Sequence, residues 1–358
     1  MSEAAHRVAI VGCGRQGQAY ADAYTAYPDT QVVAIVEPNA ERRRVVAKRC
    51  EVPAHFGDVA SMLAEVVPDV VSIVTPVQYT KDAVIACAEA GVKGISTEKP
   101  IGGVLSDADA MIDACAKHGV VFSGGCLQSA MPEVQEVAAR IRRGDYGTMT
   151  GAAVHGFAGE IVGGGCQHIS ILRLLMNVEI ESVTTWGSPV EALRDDVDGQ
   201  LSIHGTWRLT DGVQCAVFGR LTGANGVDVW NEDAMVRWPW GPPEIFVGHD
   251  ATGARTAVDP NFAPYEHREF TYMTGSVRSL LRAIETGSRP WITAEDLRRA
   301  LEVAIASRQS ALLGHAEVRL PLQDRSLRFF PSPYRWSGGD ATGNPQSIED
   351  AETPRRRW

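Results

Sequence analysis

A chain of 358 residues has room for about two domains. Its 44% hydrophobic and 22% charged residues are the balance of a globular protein, neither disordered nor membrane-spanning. Lys and Arg number 34 against 44 Asp and Glu, a formal charge of −10. That balance argues against nucleic acid or an acidic membrane face as partner, since both require a basic footprint. The seven cysteines form no C-x-x-C pair and are odd in number, so neither a zinc site nor a disulfide framework is expected. No charged-then-apolar leader and no apolar run of about 18 residues is present, and a soluble, cytoplasmic protein without a metal is expected.

The first apolar run, Val8 to Val11, suits a buried parallel strand. Gly12-Cys13-Gly14-Arg15-Gln16-Gly17 follows at once, a G-x-G-x-x-G. A helical segment comes next, with Ala19, Tyr20, Ala23, Tyr24 and Tyr27 at helical spacing and Pro28 as its stop. A second strand, Val32 to Val36, ends at Glu37, twenty positions after Gly17. Together these make the β-α-β fingerprint of a Rossmann dinucleotide site. Gly12 permits the tight turn, Gly14 lets backbone approach a pyrophosphate, and Gly17 allows close helix–strand packing. The helix N-terminus offers unpaired N–H groups to phosphate. Glu37 suits a ribose 2′-OH and would repel a 2′-phosphate, so NAD is expected over NADP. Arg42 to Arg44 lie just beyond and would weaken that preference if they faced the cofactor. The run Glu41 to Arg44 reads as a solvated helix face.

The β/α alternation continues. Val70 to Val74 is a strand followed by Thr75-Pro76, and a helix runs from about Thr80 to Ala90, closed by Gly91. Strand Gly94 to Thr97 precedes Glu98-Lys99-Pro100. Ser106 reads as the N-cap of a helix to about His118, closed by Gly119, and strand Val120 to Ser123 completes the set. Ligands in such sheets bind outside the carboxyl ends of the strands. Gly12, Glu37, Thr75 and Lys99 all fall there, which places Lys99 toward the cofactor.

After Gly124-Gly125 the pattern changes. A helix from about Pro132 to Arg143 ends at Gly144. Strand-like segments follow: Met149 to His155, Ile180 to Thr185, Gln200 to Leu209, Val213 to Leu221, Val227 to Trp230 and Met235 to Trp238. Asp211-Gly212 reads as a type I′ hairpin turn. The expectation is an α+β domain with a largely antiparallel sheet, one face covered by helices and the other by a second subunit. Two late helices run from about Pro264 to Glu285 and from near Thr293, which has Asp296 three residues on, to Gly314. The expected domains are therefore 1–123, 124–330 and a tail or arm over 331–358. Trp207, Trp230, Trp238 and Trp240 are placed mainly as sheet packing, with stacking on a ring-shaped ligand as the alternative.

These features resemble the Gfo/Idh/MocA family of oxidoreductases over about residues 6–325. The carriers are "VAIVGCGRQGQAYADAY", "VVSIVTPVQYTKDAVIACAEAGVKGISTEKPIGG", the helix start near His168 and "AEDLRRALEVAIASRQSALLG". The resemblance implies a Rossmann domain plus an open-faced α/β substrate domain, and NAD(P)-dependent oxidation or reduction of a sugar or cyclitol. It also implies a homodimer or homotetramer. It assigns proton transfer to Lys99 and His168, and cofactor contacts to Gly12, Gly14, Arg15, Gln16, Gly17, Glu37, Thr75, Pro76, Glu98 and Lys99. For His168 a satisfied core or capping role stands beside the catalytic one.

The sequence departs from the family on the substrate side. The aspartate usual four residues before the histidine is Gly164, and the one three residues after it is Ile171. An arginine usual near the start of the second domain is Ser129, and a histidine of the Thr-Pro loop is Thr80. Gln167, Glu160 and His155 are the candidate replacements toward a sugar hydroxyl. Two alternatives to a sugar, glycoside or cyclitol dehydrogenase follow from the missing acids. One is an NAD-binding regulator without turnover; the other is an enzyme that oxidises a sugar transiently on bound NAD.

Overall fold

The computed structural model describes residues 6–125, 127–199, 201–220, 225–264 and 271–331. These divide into two compact units. The first holds residues 6–125 and 271–298, the second the remainder.

The first unit alternates strand and helix: β1 (His6–Val11), α1 (Arg15–Thr25), β2 (Thr30–Val36), α2 (Ala40–Arg49), β3 (Ala54–Phe56), α3 (Val59–Glu65), β4 (Val70–Ile73), α4 (Val77–Glu89), β5 (Gly94–Thr97), α5 (Leu105–His118) and β6 (Val121–Gly124). The sheet is parallel, in the order β3-β2-β1-β4-β5-β6. The strand order reverses beside β1, the place where open α/β sheets bind ligands. β3 and α3 had no counterpart in the sequence reading, because three-residue strands carry no periodicity. Ser106 is not the cap expected of it: α5 begins at Leu105, and Val104 stands at the N-cap without a side-chain bond. Glycines 91, 119 and 144 take the left-handed conformation after their helices, as expected.

The second unit contains α6 (Pro132–Arg143), β7 (Gly151–His155), β8 (Ala158–Gly159), α7 (Gly165–Met176), β9 (Ile180–Ser188), β10 (Leu201–Leu209), β11 (Gln214–Phe218), β12 (Gly226–Trp230), β13 (Ala234–Trp238), β14 (Glu244–His249) and β15 (Arg255–Val258). Its sheet runs β15-β14-β13-β12-β7-β11-β10-β9-β16, where β16 is Val318–Arg319, and β8 pairs with β10. All pairings are antiparallel except β11 with β7. β14 and β15 are additions to the expected strands.

The turn after β10 is not type I′. Of its central residues only Gly212 has a positive φ, +90°, and Gly212 N–H donates to the Leu209 carbonyl at 2.9 Å. The Asp211 carboxylate accepts from Val213 N–H at 3.0 Å, which fixes an Asx-type turn instead.

The boundary expected at residue 123 also shifts. Helix α8 (Thr271–Thr286), placed by sequence in the second domain, belongs to the first unit. The reason is packing: Met273, Val277, Leu280 and Leu281 are buried in the same core as Tyr20, Tyr24, Val32 and Ile35. Tyr27 Oη donates to the Thr274 carbonyl at 3.1 Å, and Arg278 pairs with Asp29 at 2.7 Å. Helix α9 (Ala294–Leu312) starts with the box signalled by Thr293 and Asp296: Asp296 N–H donates to Thr293 Oγ1 at 3.2 Å, and Thr293 N–H to Asp296 Oδ2 at 2.9 Å. The expected tail lies outside the described residues except for Pro331, as do the first turns expected of the helix from Pro264. No helix among the described residues is long and apolar enough to cross a membrane.

Candidate active site

In the first unit the expected cofactor residues meet at the carboxyl ends of the parallel strands. Gly12 follows β1, Glu37 follows β2, Thr75-Pro76 follows β4, and Glu98-Lys99 follows β5. Two glycines are forced by space. At Gly12, φ is +94°, and a Cβ would lie 2.3 Å from the Val74 carbonyl oxygen. At Gly17 a Cβ would lie 1.8 Å from the Gly12 carbonyl oxygen. Gly14 is the N-cap of α1, where no side chain caps the helix and no acidic residue sits in the first turn. The N–H groups there are open to an anion. Gln16 Oε1 and Thr97 Oγ1 are shielded from solvent with no hydrogen-bond partner among the described residues. The cradle, the uncapped helix and the orphaned oxygens fit a dinucleotide.

Glu37 does more than end a strand. It is 4% exposed. Its Oε2 accepts from Cys13 N–H at 3.0 Å and its Oε1 from Asn39 N–H at 2.9 Å, so the carboxylate ties the glycine loop to the start of α2. Each oxygen keeps a second acceptor site. The expected solvated face at Glu41–Arg44 is corrected here. Arg42 is buried, 3.6 Å from Glu37, and Arg43 donates to the Glu37 and Pro38 carbonyls. Thr75 Oγ1 and Thr80 Oγ1 lie 3.1 Å apart, so Thr80 holds the Thr-Pro loop rather than presenting a titratable group. Lys99 is half-buried, with its N–H 3.3 Å from Glu98 Oε2. Arg15 is exposed on the first turn of α1.

In the second unit the run before His168 is not a loose tether. Gly165 N–H donates to the Glu160 carbonyl at 3.0 Å, and Val162 N–H donates to Asp198 Oδ2 at 2.8 Å. A Cβ on Gly165 would lie 2.6 Å from the Phe157 ring. His168 follows in the first turn of α7, only 2% exposed. Phe157, Trp238 and Trp240 stand edge-on to it, with centroids 6.1, 5.8 and 5.5 Å away. Its Nε2 lies 3.0 Å from the His155 carbonyl and 2.9 Å from Asn225 Oδ1. A carbonyl only accepts, so Nε2 carries the proton. Burial pulls the His168 pKa down to about 4, against the hydrogen bonds that favour its charged form. The ring is therefore neutral at neutral pH. Nδ1 is shielded, and the nearby Gly164 carbonyl falls short of hydrogen-bond geometry with it.

The other substrate candidates part company. Gln167 is buried, and its Oε1 accepts from Gln128 N–H at 2.7 Å, which holds the short 3-10 segment Gln128–Ala130. Ser129 is buried in that segment, its Oγ without a partner among the described residues. Glu160 is half-buried in the turn before α7. His155 ends β7, stacked on Phe218 with centroids 5.5 Å apart, its Nε2 3.4 Å from Asp228 Oδ2. Asp228 is gripped by Arg237, with Nε to Oδ1 at 2.9 Å and Nη2 to Oδ2 at 3.1 Å. Burial pushes the Asp228 carboxyl up, but hydrogen bonds from His155 and Arg237 outweigh it and hold the group below its usual range. Sequence reasoning missed Asn225, Asp228 and Arg237. The last two face each other across the β12–β13 hairpin register, a pairing that recognising the turn at Asn231 would have revealed.

Residues 6–126 match the model of an oxidoreductase family with an NAD-binding Rossmann fold, GFO_IDH_MocA. The match covers the nucleotide-binding residues, and over these the chain is similar to the Gfo/Idh/MocA family. D-apiose dehydrogenase of Paraburkholderia graminis is 30% identical over 140 residues, 39% of this chain, and the match spans only 37% of that relative's length. Myo-inositol 2-dehydrogenase of Thermotoga maritima is 22% identical over 325 residues, covering 85% of this chain and 96% of its own. An oxidoreductase from Agrobacterium radiobacter, solved with NAD+, L-tartaric acid and magnesium, superposes with a TM-score of 0.73. Its identity is 18%, over 88% of this chain and 98% of that one, a likeness of fold.

Proposed function

We propose that the chain is an NAD-dependent oxidoreductase that moves a hydride between nicotinamide and the CH–OH or ketone carbon of a sugar, glycoside or cyclitol. The observation that carries this reading is the closed glycine loop, with Glu37 beneath it and Lys99 at the same strand ends. The similarity to relatives named for D-apiose and myo-inositol supports a polyhydroxylated substrate. The bound dinucleotide supplies the hydride acceptor or donor. Lys99 takes or returns the hydroxyl proton, a role worth roughly 10²–10⁴-fold in rate. His168, neutral with its Nε2–H held by the His155 carbonyl, orients the substrate or assists the proton. Glu160 stays as a substrate contact, while Gln167 is assigned to the Gln128 N–H and His155, on the sheet face opposite His168, to Asp228.

NAD is favoured over NADP by the Glu37 carboxylate at the end of β2. Arg42 and Arg43, which would otherwise welcome a 2′-phosphate, are already engaged by Glu37 and the adjacent backbone. Exposed Trp186 and Phe218 on the sheet of the second unit support a homodimer or homotetramer through that face. Cysteines that stand as thiols rather than disulfides among the described residues suit a reducing, cytoplasmic compartment.

The test is nicotinamide absorbance on mixing protein, NAD and a panel of sugars, glycosides and inositols. NADH should form with the wild type and not with Lys99→Ala, which should still bind NAD. A second reading, an NAD-binding protein without turnover, is favoured by the burial of His168. It predicts NAD binding with no NADH from any member of the panel.

A further inference from the structure

Two tryptophans stand two residues apart at the end of β13, both edge-on to His168, and they differ in burial, backbone conformation and hydrogen bonding. Trp238 is the last strand residue, fully buried, and its indole N–H donates to Gln128 Oε1 at 3.2 Å. Trp240 is half-buried and has a φ of +61°. That region is uncommon for non-glycine residues, and for a bulky one it marks strain. Its Nε1 is shielded from solvent yet has no hydrogen-bond partner among the described residues. Buried indole N–H groups ordinarily find one. Its ring lies at 74° to His168 with centroids 5.5 Å apart, and at 34° to Trp238 with centroids 5.1 Å apart.

Backbone strain and an unmade hydrogen bond in one residue disfavour its conformer, and contact with the imidazole and with Trp238 offsets part of that cost. The cost of the unmade hydrogen bond falls if the ring turns and its N–H meets an oxygen. We propose that Trp240 is a movable cover on His168, and that its indole N–H recognises a hydroxyl oxygen of a polyol ligand. An N–H donor takes an oxygen and rejects an ammonium. The neighbour across the ring is an imidazole, not a fixed cation, so a hydroxyl suits the place better than a carboxylate. The ligand class rests on the oxidoreductase reading; the covering of His168 does not.

Carbethoxylation of His168 by diethyl pyrocarbonate, mapped by mass spectrometry, tests the cover without any substrate. The wild type should react slowly and Trp240→Ala at least about tenfold faster, as local exposure rises. Trp240→Phe keeps an aromatic ring over the imidazole while losing the N–H, and should stay slow. Trp240→Leu replaces the alanine variant if that one melts early. A truncated variant within about twofold of the wild type, or a phenylalanine variant as fast as alanine, overturns the cover. Recognition is read from the indole N–H resonances, the Trp240 signal being the one absent in Trp240→Phe. Molar glycerol as a polyol probe should shift that signal, and an unmoved signal overturns the recognition. If the NADH assay fails while carbethoxylation behaves as expected, the oxidoreductase reading falls and the cover stands.

Discussion

The first unit has backbone geometry that fits a dinucleotide, whereas the second carries its histidine into a core. Around Gly12 and Gly17 the backbone leaves no space for a Cβ, the helix end is uncapped, and a carboxylate braces the loop from below. Around His168 the polar groups turn to one another: Nε2 to a carbonyl, Gln167 to Gln128, His155 to Asp228. Generic cofactor binding constrains backbone, so its residues are set by geometry. Substrate recognition constrains side chains, which can be exchanged for others that satisfy their own neighbours.

Substitutions that act on one region only sharpen this contrast. Gly17→Ala forces a Cβ onto the Gly12 carbonyl and should weaken NAD binding by about a hundredfold or more, ~2.7 kcal/mol, by fluorescence titration, with the second unit's fold unchanged. Gly165→Ala drives a methyl into the Phe157 ring. It should cost roughly 1–3 kcal/mol in urea unfolding and leave NAD affinity alone.

The pH dependence comes next. His168 has a pKa of about 4 when folded, below its unfolded value of about 6.5, so the unfolded chain binds more protons on acidification. The stability involved is present above pH ~6.5 and lost as pH falls toward 4. Between pH 7 and 5 the wild type should lose about 2 kcal/mol more than His168→Asn, measured by urea unfolding at both values. A parallel decline in the two proteins would show that His168 is not buried neutral. The smallest effect is expected at Glu37→Ser, which frees Arg42 and should narrow the preference for NAD over NADP by about tenfold, ~1.4 kcal/mol.

Legibility followed the same divide. The glycine loop, Glu37 and the strand ends were readable because each has a steric or dipolar reason visible in spacing. The cap at Thr293 was readable because its partner is three residues away. Arg42 looked like part of a solvated run, since one-dimensional pattern does not reveal which arginine of three is buried beside Glu37. The return of α8 to the first unit depends on a core assembled from residues some 250 positions apart, beyond any local window. The order of the glycine run before His168 comes from Asp198 and Phe157, contacts that the run's own composition does not signal.

The most direct measurement is calorimetric titration of the purified protein with NAD and with NADP. A complete dinucleotide site with Glu37 at the end of β2 predicts saturable one-site binding of NAD and at least about tenfold weaker binding of NADP. No binding of either nucleotide, or tighter binding of NADP, would contradict it.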